Sequence, residues 1–326
     1  MKLGACAFLA VALFVFAPGV ARADERVVAA YDGFAGFQGP IWATRELGLF
    51  KKHGLNGDLV LITGAARGMA ALVSGSIDFA MGSGTASLPI RLRGGDVVIL
   101  GAALNKFPFS FIAQKEIRKP ADLVGKKIGI LNFGGSTDLA VALALKEWNL
   151  PRSSMTIFAA GGAPERLAGL SSRVLDATVL SPPETIAAAR MGMSILANLS
   201  DLKASFPQTV ITTRRSFLEK NRDTVKRFVR AYSEAIHTFK TDKTKGMAVY
   251  NKWLKQPDAK IIEATYDYFA PRFSFPPRIE RDGIRNALEL VGDRDREAKR
   301  DINVEQFIDE SLLDELEREG FFKKLR

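Results

Sequence analysis

The sequence predicts an α/β protein made of two successive lobes and a helical C-terminal region. Short, continuously apolar segments alternate with helical segments through the first part of the chain, which is typical of parallel strands covered by helices on both faces. The alternation restarts after residues 109–113, which indicates a second unit of the same kind. Beyond residues 210–213 nearly every segment has helical periodicity.

The first unit begins with a β-type run at residues 27–31. Gly39 and Pro40 then open a helix that ends near Gly48, because proline suits the first turn of a helix and glycine suits its end. The remaining predictions for this unit are strands at 59–62, 78–82 and 97–101 and helices at 64–73 and 84–93.

The second unit repeats this order of strand, loop and helix after a capped turn at Lys119 and Pro120. Its predicted strands are 128–131, 155–159, 177–180 and 195–197, and its predicted helices are 137–148, 164–170 and 184–191. A strand at 210–213 follows, and the C-terminal region is then predicted as helices at 215–221, 223–239, 245–254, 258–269, 280–290 and 304–319.

The first 23 residues have the order of a cleavable export signal. Lys2 supplies a short positive region, residues 3–16 are apolar, and Pro18-Gly19 precedes the small residues Ala21 and Ala23. The apolar run falls short of the roughly 20 residues that a membrane span needs. We therefore expect cleavage after Ala23 and a mature protein in the periplasm.

Composition narrows the function classes further. Cleavage removes Cys6, the single cysteine, so the mature chain has neither a disulfide nor a thiolate metal site. The full chain carries a net charge of +10, and loss of Lys2 and Arg22 without any acid leaves +8. The basic residues are interspersed with acids, as in 293–300, rather than gathered in one stripe. No nucleic-acid partner is expected.

Signatures of hydrolytic and metal catalysis are missing from the sequence. His53 and His237 are far apart, and neither belongs to an H-E-x-x-H helix or a Cys/His cluster. The sequence also lacks a phosphate-binding loop and a G-x-S-x-G nucleophile elbow. We therefore expect no enzyme, no cofactor and no metal site.

Small polar loops follow the predicted strands. They lie at residues 33–38, 63–65, 82–85, 132–137 and 181–184. In an open parallel sheet, ligands bind beyond the carboxyl ends of the strands, where helix N-termini offer unpaired N–H groups. Any one of these loops taken alone is better explained as an ordinary turn, but five of them together predict a ligand site shared by the two units.

Four segments carry a resemblance to a known family. They are PIWATRELGLFKKHGL at 40–55, ALVSGSIDFA at 71–80, PADLVGKKIG at 120–129 and DTVKRFVRAY at 223–232. In this order they resemble the solute-binding proteins of ABC importers, in the branch that includes sulfonate, taurine and nitrate binders and the NMT1/THI5-like binders of pyrimidine precursors. The resemblance covers nearly the whole mature chain.

The resemblance implies a type II periplasmic-binding-protein fold, in which two α/β lobes are joined by two crossing hinge strands and enclose a ligand cleft. Residues 107–113 and 209–213 would be the crossings. Lobe 1 would then comprise residues 24–110 and 209–326, and lobe 2 would comprise residues 111–208. Closure about the hinge is the expected response to ligand.

The same resemblance implies a monomeric binding protein that captures a small-molecule ligand and delivers it to an ABC permease in the inner membrane. A ligand-sensing module for a receptor stays open as an alternative. A pyrimidine-synthase-like enzyme on the same fold is disfavoured, because the mature chain has no cysteine.

Candidate ligand-binding residues are assigned from the polar loops and from family position. In lobe 1 they are Asp32, Phe34, Phe37, Gln38, Gly64, Ala65, Arg67, Ser83, Gly84, Thr85 and Asn105, and in lobe 2 they are Phe133, Gly135, Ser136, Thr137, Pro182 and Glu184. Glycines let the backbone approach a ligand closely, and the hydroxyl groups supply hydrogen-bond donors.

The charges and aromatic rings leave the ligand open between a sulfonate, a carboxylate and an aromatic or heterocyclic compound. Asp32 and Glu184 would repel a sulfonate unless a cation pairs with them, so a nitrogenous or zwitterionic ligand is compatible. Arg67 either pairs with an acidic ligand or faces solvent and surface carboxylates. The aromatic residues near strand ends either sandwich a flat ligand or pack in the core and hinge; they are Tyr31, Phe34, Phe37, Phe107 and Phe133.

Overall fold

A computed structural model describes residues 24–292 and 302–325 of the chain. The predicted export signal lies outside these residues. Across the two described segments, no helix combines the length and the apolar character that a membrane span needs. The described chain forms two five-stranded sheets flanked by helices.

The strands, in chain order, are β1 (Glu25–Tyr31), β2 (Leu55–Leu61), β3 (Phe79–Gly82), β4 (Val98–Leu104), β5 (Ser110–Ala113), β6 (Lys127–Ile130), β7 (Thr156–Ala159), β8 (Ala177–Leu180), β9 (Ser194–Asn198) and β10 (Thr209–Thr213). The helices are α1 (Gly39–Glu46), α2 (Leu49–Lys52), α3 (Ala65–Val73), α4 (Leu88–Leu92), α5 (Ser136–Glu147), α6 (Ala163–Ser171), α7 (Glu184–Arg190), α8 (Arg215–Lys220), α9 (Arg222–Thr241), α10 (Lys243–Trp253), α11 (Ala259–Phe269), α12 (Arg281–Gly292), α13 (Ser311–Arg318) and α14 (Phe321–Leu325).

The first sheet has the strand order β2-β1-β3-β10-β4, and the second has the order β7-β6-β8-β5-β9. In the first sheet β1 pairs in parallel with β2 and β3, whereas β10 runs antiparallel to β3 and β4. In the second sheet β6 pairs in parallel with β7 and β8, whereas β5 runs antiparallel to β8 and β9. We call each sheet with its helices a lobe.

The strands predicted within each unit are parallel to one another, and both sheets are mixed only because each also contains an antiparallel strand. Each sheet contains one strand, β10 or β5, that the chain lays down on passing from one lobe to the other. Such a strand enters its sheet at the end where the neighbouring parallel strands finish, so it runs antiparallel to them. Apolar composition alone does not distinguish it from a parallel strand, since both are buried on two faces.

Two predicted helices are interrupted. The helix predicted at 84–93 is a 3₁₀ turn, Gly84–Ala86, followed by α4, and Pro89 stands at the start of α4, where its missing N–H costs nothing. The helix predicted at 304–319 is a 3₁₀ turn, Val304–Phe307, separated from α13. Between these two pieces, Ile308 pairs with Ile99 of β4 in an extended bridge that a helix cannot make.

The C-terminal helices complete the core of the first lobe. The longest of them, α9, lies against α1, and its Phe228 stacks on Phe79 of β3 with ring centroids 3.7 Å apart. Both rings are fully buried. Within the described residues, the predicted helical C-terminal region therefore packs on the first sheet.

The two segments that connect the lobes are packed against each other. Phe206 donates its backbone N–H to the carbonyl of Asn105 at 2.8 Å, and its ring stacks on Phe107 with centroids 3.6 Å apart. Asn105 itself is held by the C-terminal region: its amide donates to Ser274 Oγ and to the carbonyl of Arg278. The hinge region is thus built from both connections and from the segment that precedes α12.

Replacement of Gly101 by alanine tests the packing of this segment on β4. A Cβ at Gly101 would lie 2.5 Å from the carbonyl oxygen of Pro277, and this oxygen accepts the hydrogen bond of Ala102 N–H at 2.8 Å. Because backbone must move, we expect Gly101→Ala to lower the free energy of unfolding by about 1–3 kcal/mol. Gly68→Ala is the control, since its Cβ would meet nothing within 4 Å in α3. Chemical denaturation of both variants measures the difference, and equal stability would contradict the packing.

Candidate functional site

A cavity of about 270 Å³ lies between the two sheets. It is bounded by residues that follow the carboxyl ends of parallel strands in both lobes, as the rule for open α/β sheets predicts. The residues lining it are Asp32, Gly33, Phe34, Ala35, Phe37, Leu61, Thr63 and Phe109 on one side and Leu131, Ser136, Thr137, Gly162, Ala163, Pro164, Glu165, Arg166 and Ser181 on the other.

Asp32 follows directly after β1 and forms part of the wall on the side of the first lobe. Its Oδ1 accepts a hydrogen bond of 2.7 Å from Gln38 Nε2, and its Oδ2 accepts one of 3.4 Å from the backbone N–H of Ser83. Gln38 is fully buried and also donates to the carbonyl of Met81. Burial raises the pKa of Asp32 to about 6, and these hydrogen bonds oppose the rise.

Gly82, at the end of β3, makes room for this carboxylate. A Cβ at Gly82 would lie 2.4 Å from Asp32 Oδ2, closer than two such atoms ever approach. The position of Asp32 therefore depends on a glycine in the neighbouring strand. Close approach of side chain to backbone is the reason for glycine here, and its φ angle is not the reason.

Aromatic rings form the apolar part of the wall. Phe37 is buried and meets Phe109 edge to face, with ring centroids 6.4 Å apart. Phe34 is 39% exposed and meets Tyr31 edge to face at 5.8 Å. Phe34, Phe37 and Phe109 line the cavity, whereas Tyr31 packs against Phe34 and is not among the lining residues. Such a wall suits the face or edge of a flat ligand.

The second lobe contributes hydroxyl groups from the first turn of α5. Thr137 Oγ1 accepts the backbone N–H of Leu131 at 3.0 Å, which fixes this side chain at the end of β6. Ser136 lies one residue earlier and lines the cavity with it. Ser181, after β8, adds a third hydroxyl. Each hydroxyl can donate to an acceptor on a ligand.

Arg166 is a cavity residue that the sequence did not predict. It lies on α6, is only 3% exposed, and donates from Nη1 to the carbonyl of Gly161 at 2.6 Å and from Nη2 to that of Val179 at 3.3 Å. Burial lowers its pKa to about 10, and the charges of Glu184 and Glu165 oppose this. Its Nε is buried without a hydrogen-bond partner among the described residues.

The sequence does contain a pattern that could have identified the region around Arg166 as part of the site. The loop at Gly161 and Gly162 joins a predicted strand to a predicted helix, as do the five polar loops of the predicted site. The rule that places ligands at strand ends applies to it equally. Glu165 and Arg166 follow in the first turn of α6, and nothing in the sequence shows that the arginine side chain is buried.

Five of the predicted site residues line the cavity: Asp32, Phe34, Phe37, Ser136 and Thr137. Three other predicted residues, Gln38, Ser83 and Glu184, act on lining residues without lining the cavity themselves. Gln38 and Ser83 donate hydrogen bonds to the carboxylate of Asp32, and the charge of Glu184 acts to raise the pKa of Arg166.

The remaining predicted residues do not line this cavity; they are Gly64, Ala65, Arg67, Gly84, Thr85, Asn105, Phe133, Gly135 and Pro182. Arg67 is exposed on α3, and Phe133 is 59% exposed. Gly84 donates its N–H to the carbonyl of Pro207, and Thr85 bonds through its hydroxyl to Ser83. Asn105 serves the hinge packing described above, since its amide is occupied by the C-terminal region.

Two contacts already join the lobes beside the cavity. The backbone N–H of Gly36 donates to the carbonyl of Pro182 at 3.3 Å. Arg190 at the end of α7 forms an ion pair with Asp258, the residue that caps the N-terminus of α11. The lobes therefore touch at Gly36, next to Phe37, and at the end of α7, which begins at Glu184. Phe37 and Glu184 are themselves buried.

Comparison with known proteins gives consistent results. The family model described as NMT1/THI5 like matches residues 38–243. A protein of Brucella abortus, named as a binding protein without a stated ligand, is 31% identical over 268 residues, which are 78% of this chain and 80% of the relative.

Solved structures show the fold. A protein of Bordetella bronchiseptica has a TM-score of 0.81 at 19% identity and covers 90% of this chain and 98% of its own. The periplasmic aliphatic sulphonate binding protein SsuA of Escherichia coli has a TM-score of 0.71 at 19% identity, covering 87% and 92%. The predicted fold class, two α/β lobes of the periplasmic-binding-protein type, is confirmed.

The buried carboxyl group of Glu184 predicts a pH-dependent stability. Burial raises its pKa to about 7, and its Oε2 has no hydrogen-bond partner among the described residues. A carboxyl group whose pKa is higher folded than unfolded binds more protons in the folded state, so its contribution is most favourable at low pH and declines as pH rises from about 4.5 through 7. At pH 8 we expect Glu184→Gln to raise the free energy of unfolding by roughly 2 kcal/mol.

The measurement is chemical denaturation of the wild type and Glu184→Gln at pH 5 and pH 8. The stabilisation should be present at pH 8 and largely absent at pH 5. Glu116→Gln is the control, because Glu116 is exposed and its pKa is lowered by its bond to Arg173. A stabilisation by Glu184→Gln that is equal at both pH values would show that the carboxyl group does not titrate in this range.

Proposed function

Because the chain belongs to the NMT1/THI5-like family, we propose that it is the periplasmic substrate-binding component of an ABC importer and that it captures a small organic solute between its two lobes. The observation that carries the proposal is the cavity of about 270 Å³ at the strand ends of both sheets. A site that is closed by two lobes buries most of a small ligand and releases it when the lobes separate.

An aromatic or heterocyclic solute fits this cavity better than a small inorganic anion. Phe34, Phe37 and Phe109 supply apolar surface that nitrate would leave unfilled. Asp32 faces the ligand with a carboxyl group, which accepts a hydrogen bond from an N–H or O–H of the solute. A flat solute with a polar donor at one end therefore satisfies both parts of the wall.

Hinge closure is the proposed response to the solute. The contact of Gly36 with Pro182 and the ion pair of Arg190 with Asp258 would break when the lobes move apart. The paired connections at Phe107 and Phe206 would stay together and act as the axis. The closed form, as a monomer, would then dock on an inner-membrane permease.

Two alternatives differ from transport in the fate of the bound solute. A sensory module would present the same closed form to a receptor, and loss of signalling instead of loss of uptake on gene deletion would identify it. An enzyme would return a changed compound. The protein of Brucella abortus and SsuA of Escherichia coli are named as binding proteins, and the described residues that line the cavity include neither histidine nor cysteine. Both observations support binding without turnover.

The proposal predicts that a solute can be recovered from the protein in unchanged form. Protein purified from its native periplasm without added ligand is unfolded, and the released compounds are identified by mass spectrometry. The recovered compound is then titrated back and recovered a second time. We expect reversible binding, and chemical conversion of the compound during the second incubation would contradict the proposal.

Phe34→Ala tests the aromatic wall with that recovered compound. Phe34 is partly exposed, so its loss should affect folding little while it removes one ring face from the ligand. We expect affinity to fall by about three- to tenfold, measured by calorimetry. Leu92→Ala is the matched control, because Leu92 is 40% exposed and is not among the residues that line the cavity. Equal affinity of both variants would place the ligand elsewhere.

A further inference from the structure

We infer that Arg166 selects the ligand, and that the solute belongs to the small aromatic carboxylates, with its acid group bound to this guanidinium. The inference rests on the proposed function and names the substrate class of the same cavity. Arg166 lines the cavity from the second lobe, whereas Asp32 lines it from the first. The ligand would therefore carry its carboxylate at one end and a hydrogen-bond donor at the other.

The guanidinium of Arg166 is anchored by two hydrogen bonds, but not all of its N–H groups have a hydrogen-bond acceptor among the described residues. Two backbone carbonyls, of Gly161 and Val179, accept one hydrogen bond each from Nη1 and Nη2. Nε is buried and has no partner among the described residues. A guanidinium has five N–H groups, so the described contacts leave most of them unused. A buried donor without a partner is costly, and a ligand acceptor would remove that cost.

The anchoring also limits which acceptor fits. Each terminal nitrogen gives one of its two N–H groups to a carbonyl, so Nε–H and one N–H of each terminal nitrogen remain for a ligand. Two parallel N–H groups of a guanidinium match the two oxygens of a planar carboxylate. A sulfonate has a third oxygen outside the plane of the guanidinium, and this oxygen needs a further donor from another residue. The anchoring would therefore make the site selective among anions.

The surrounding carboxyl groups do not neutralise Arg166 completely. In the described part of the chain, no carboxylate lies within the 4.0 Å of an ion pair with it. Glu165 is exposed at the rim, where its side chain lies against Gly161 and Gly162. Burial raises the pKa of Glu184 to about 7, so near neutral pH this group carries only part of a negative charge. The positive charge of Arg166 thus remains available to an acid group.

The test is calorimetric titration of the full mature protein with a panel of aminobenzoates and pyridinecarboxylates. Each acid is compared with its own carboxamide and with the corresponding sulfonate. We expect the wild type to bind at least one acid roughly tenfold or more tightly than its carboxamide. In Arg166→Gln the affinity for that acid should fall by about ten- to hundredfold, while the affinity for the carboxamide changes by less than about threefold.

Two further variants keep the test independent of folding. Arg166→Lys retains the positive charge but lacks the paired, coplanar N–H groups of a guanidinium, so it should bind the acid with intermediate affinity. Arg173→Gln is the matched control, since Arg173 is exposed in the same lobe and pairs with Glu116 away from the cavity. Binding of the carboxamide by Arg166→Gln reports that the variant is folded, and if Arg166→Gln does not fold, the comparison of Arg166→Lys with the wild type decides.

The inference is overturned if the acids bind no more tightly than their carboxamides, if a sulfonate binds more tightly than its carboxylate, or if the variants of Arg166 keep the wild-type preference. Absence of binding by every acid overturns it too. Recovery of a ligand without an acid group from the native protein would overturn the inference and leave the proposed function intact. Recovery of a chemically converted ligand would overturn the proposed function instead.

Discussion

The insertion of β10 between β3 and β4 is the constraint on which the rest of the structure depends. Val210, Ile211 and Thr212 pair with β3, and the same strand pairs with β4 on its other side. Along the chain, β10 follows all five strands of the second sheet, so the first sheet contains strands from before and from after the second sheet. The two connections must therefore run side by side, and they hold the strand ends of both sheets at the walls of one cavity.

That cavity combines an apolar wall with charged groups that burial disfavours. Asp32 and Glu184 have raised pKa values because they are buried, and Arg166 has a lowered one for the same reason. Gln38, Glu184 and Arg166 keep buried polar atoms without hydrogen-bond partners among the described residues. A fold optimised only for stability would satisfy or remove such groups. Of these three residues Arg166 lines the cavity, Gln38 bonds to the lining residue Asp32, and Glu184 acts on the pKa of Arg166.

The sequence predicted the order of strands and helices closely, because each element has its own local signal. Proline at the start of α1, glycine after its end and the apolar run of β8 identify elements without reference to the rest of the chain. The direction of β5 and β10 was not predictable in this way, since it depends on where the chain comes from. The break before α13 was missed for a similar reason, because it follows from the bridge between Ile308 and Ile99.

The site was predictable only in part. The loop after β1 was identified because it follows a strand, and Asp32 and Phe37 lie there and line the cavity. Arg67 was a candidate because of its charge at the start of α3, yet that side chain is exposed. Arg166 has the same charge and a similar place at the start of α6, and it is buried. The side chain of Arg166 is held inside by the carbonyls of Gly161 and Val179. These carbonyls come within hydrogen-bond distance only in the folded chain, so the sequence does not show which of the two arginines is buried.

The most direct test of solute binding between the sheets is a crystal structure of the protein purified from its native organism without added ligand. We predict density for a small organic molecule between Phe37 and Arg166, within hydrogen-bond distance of Asp32. Density in another place would contradict this prediction, for example in the cavity of about 300 Å³ beside Lys106 and Arg272 at the connecting segments. That result would place solute binding at the hinge instead of between the sheets.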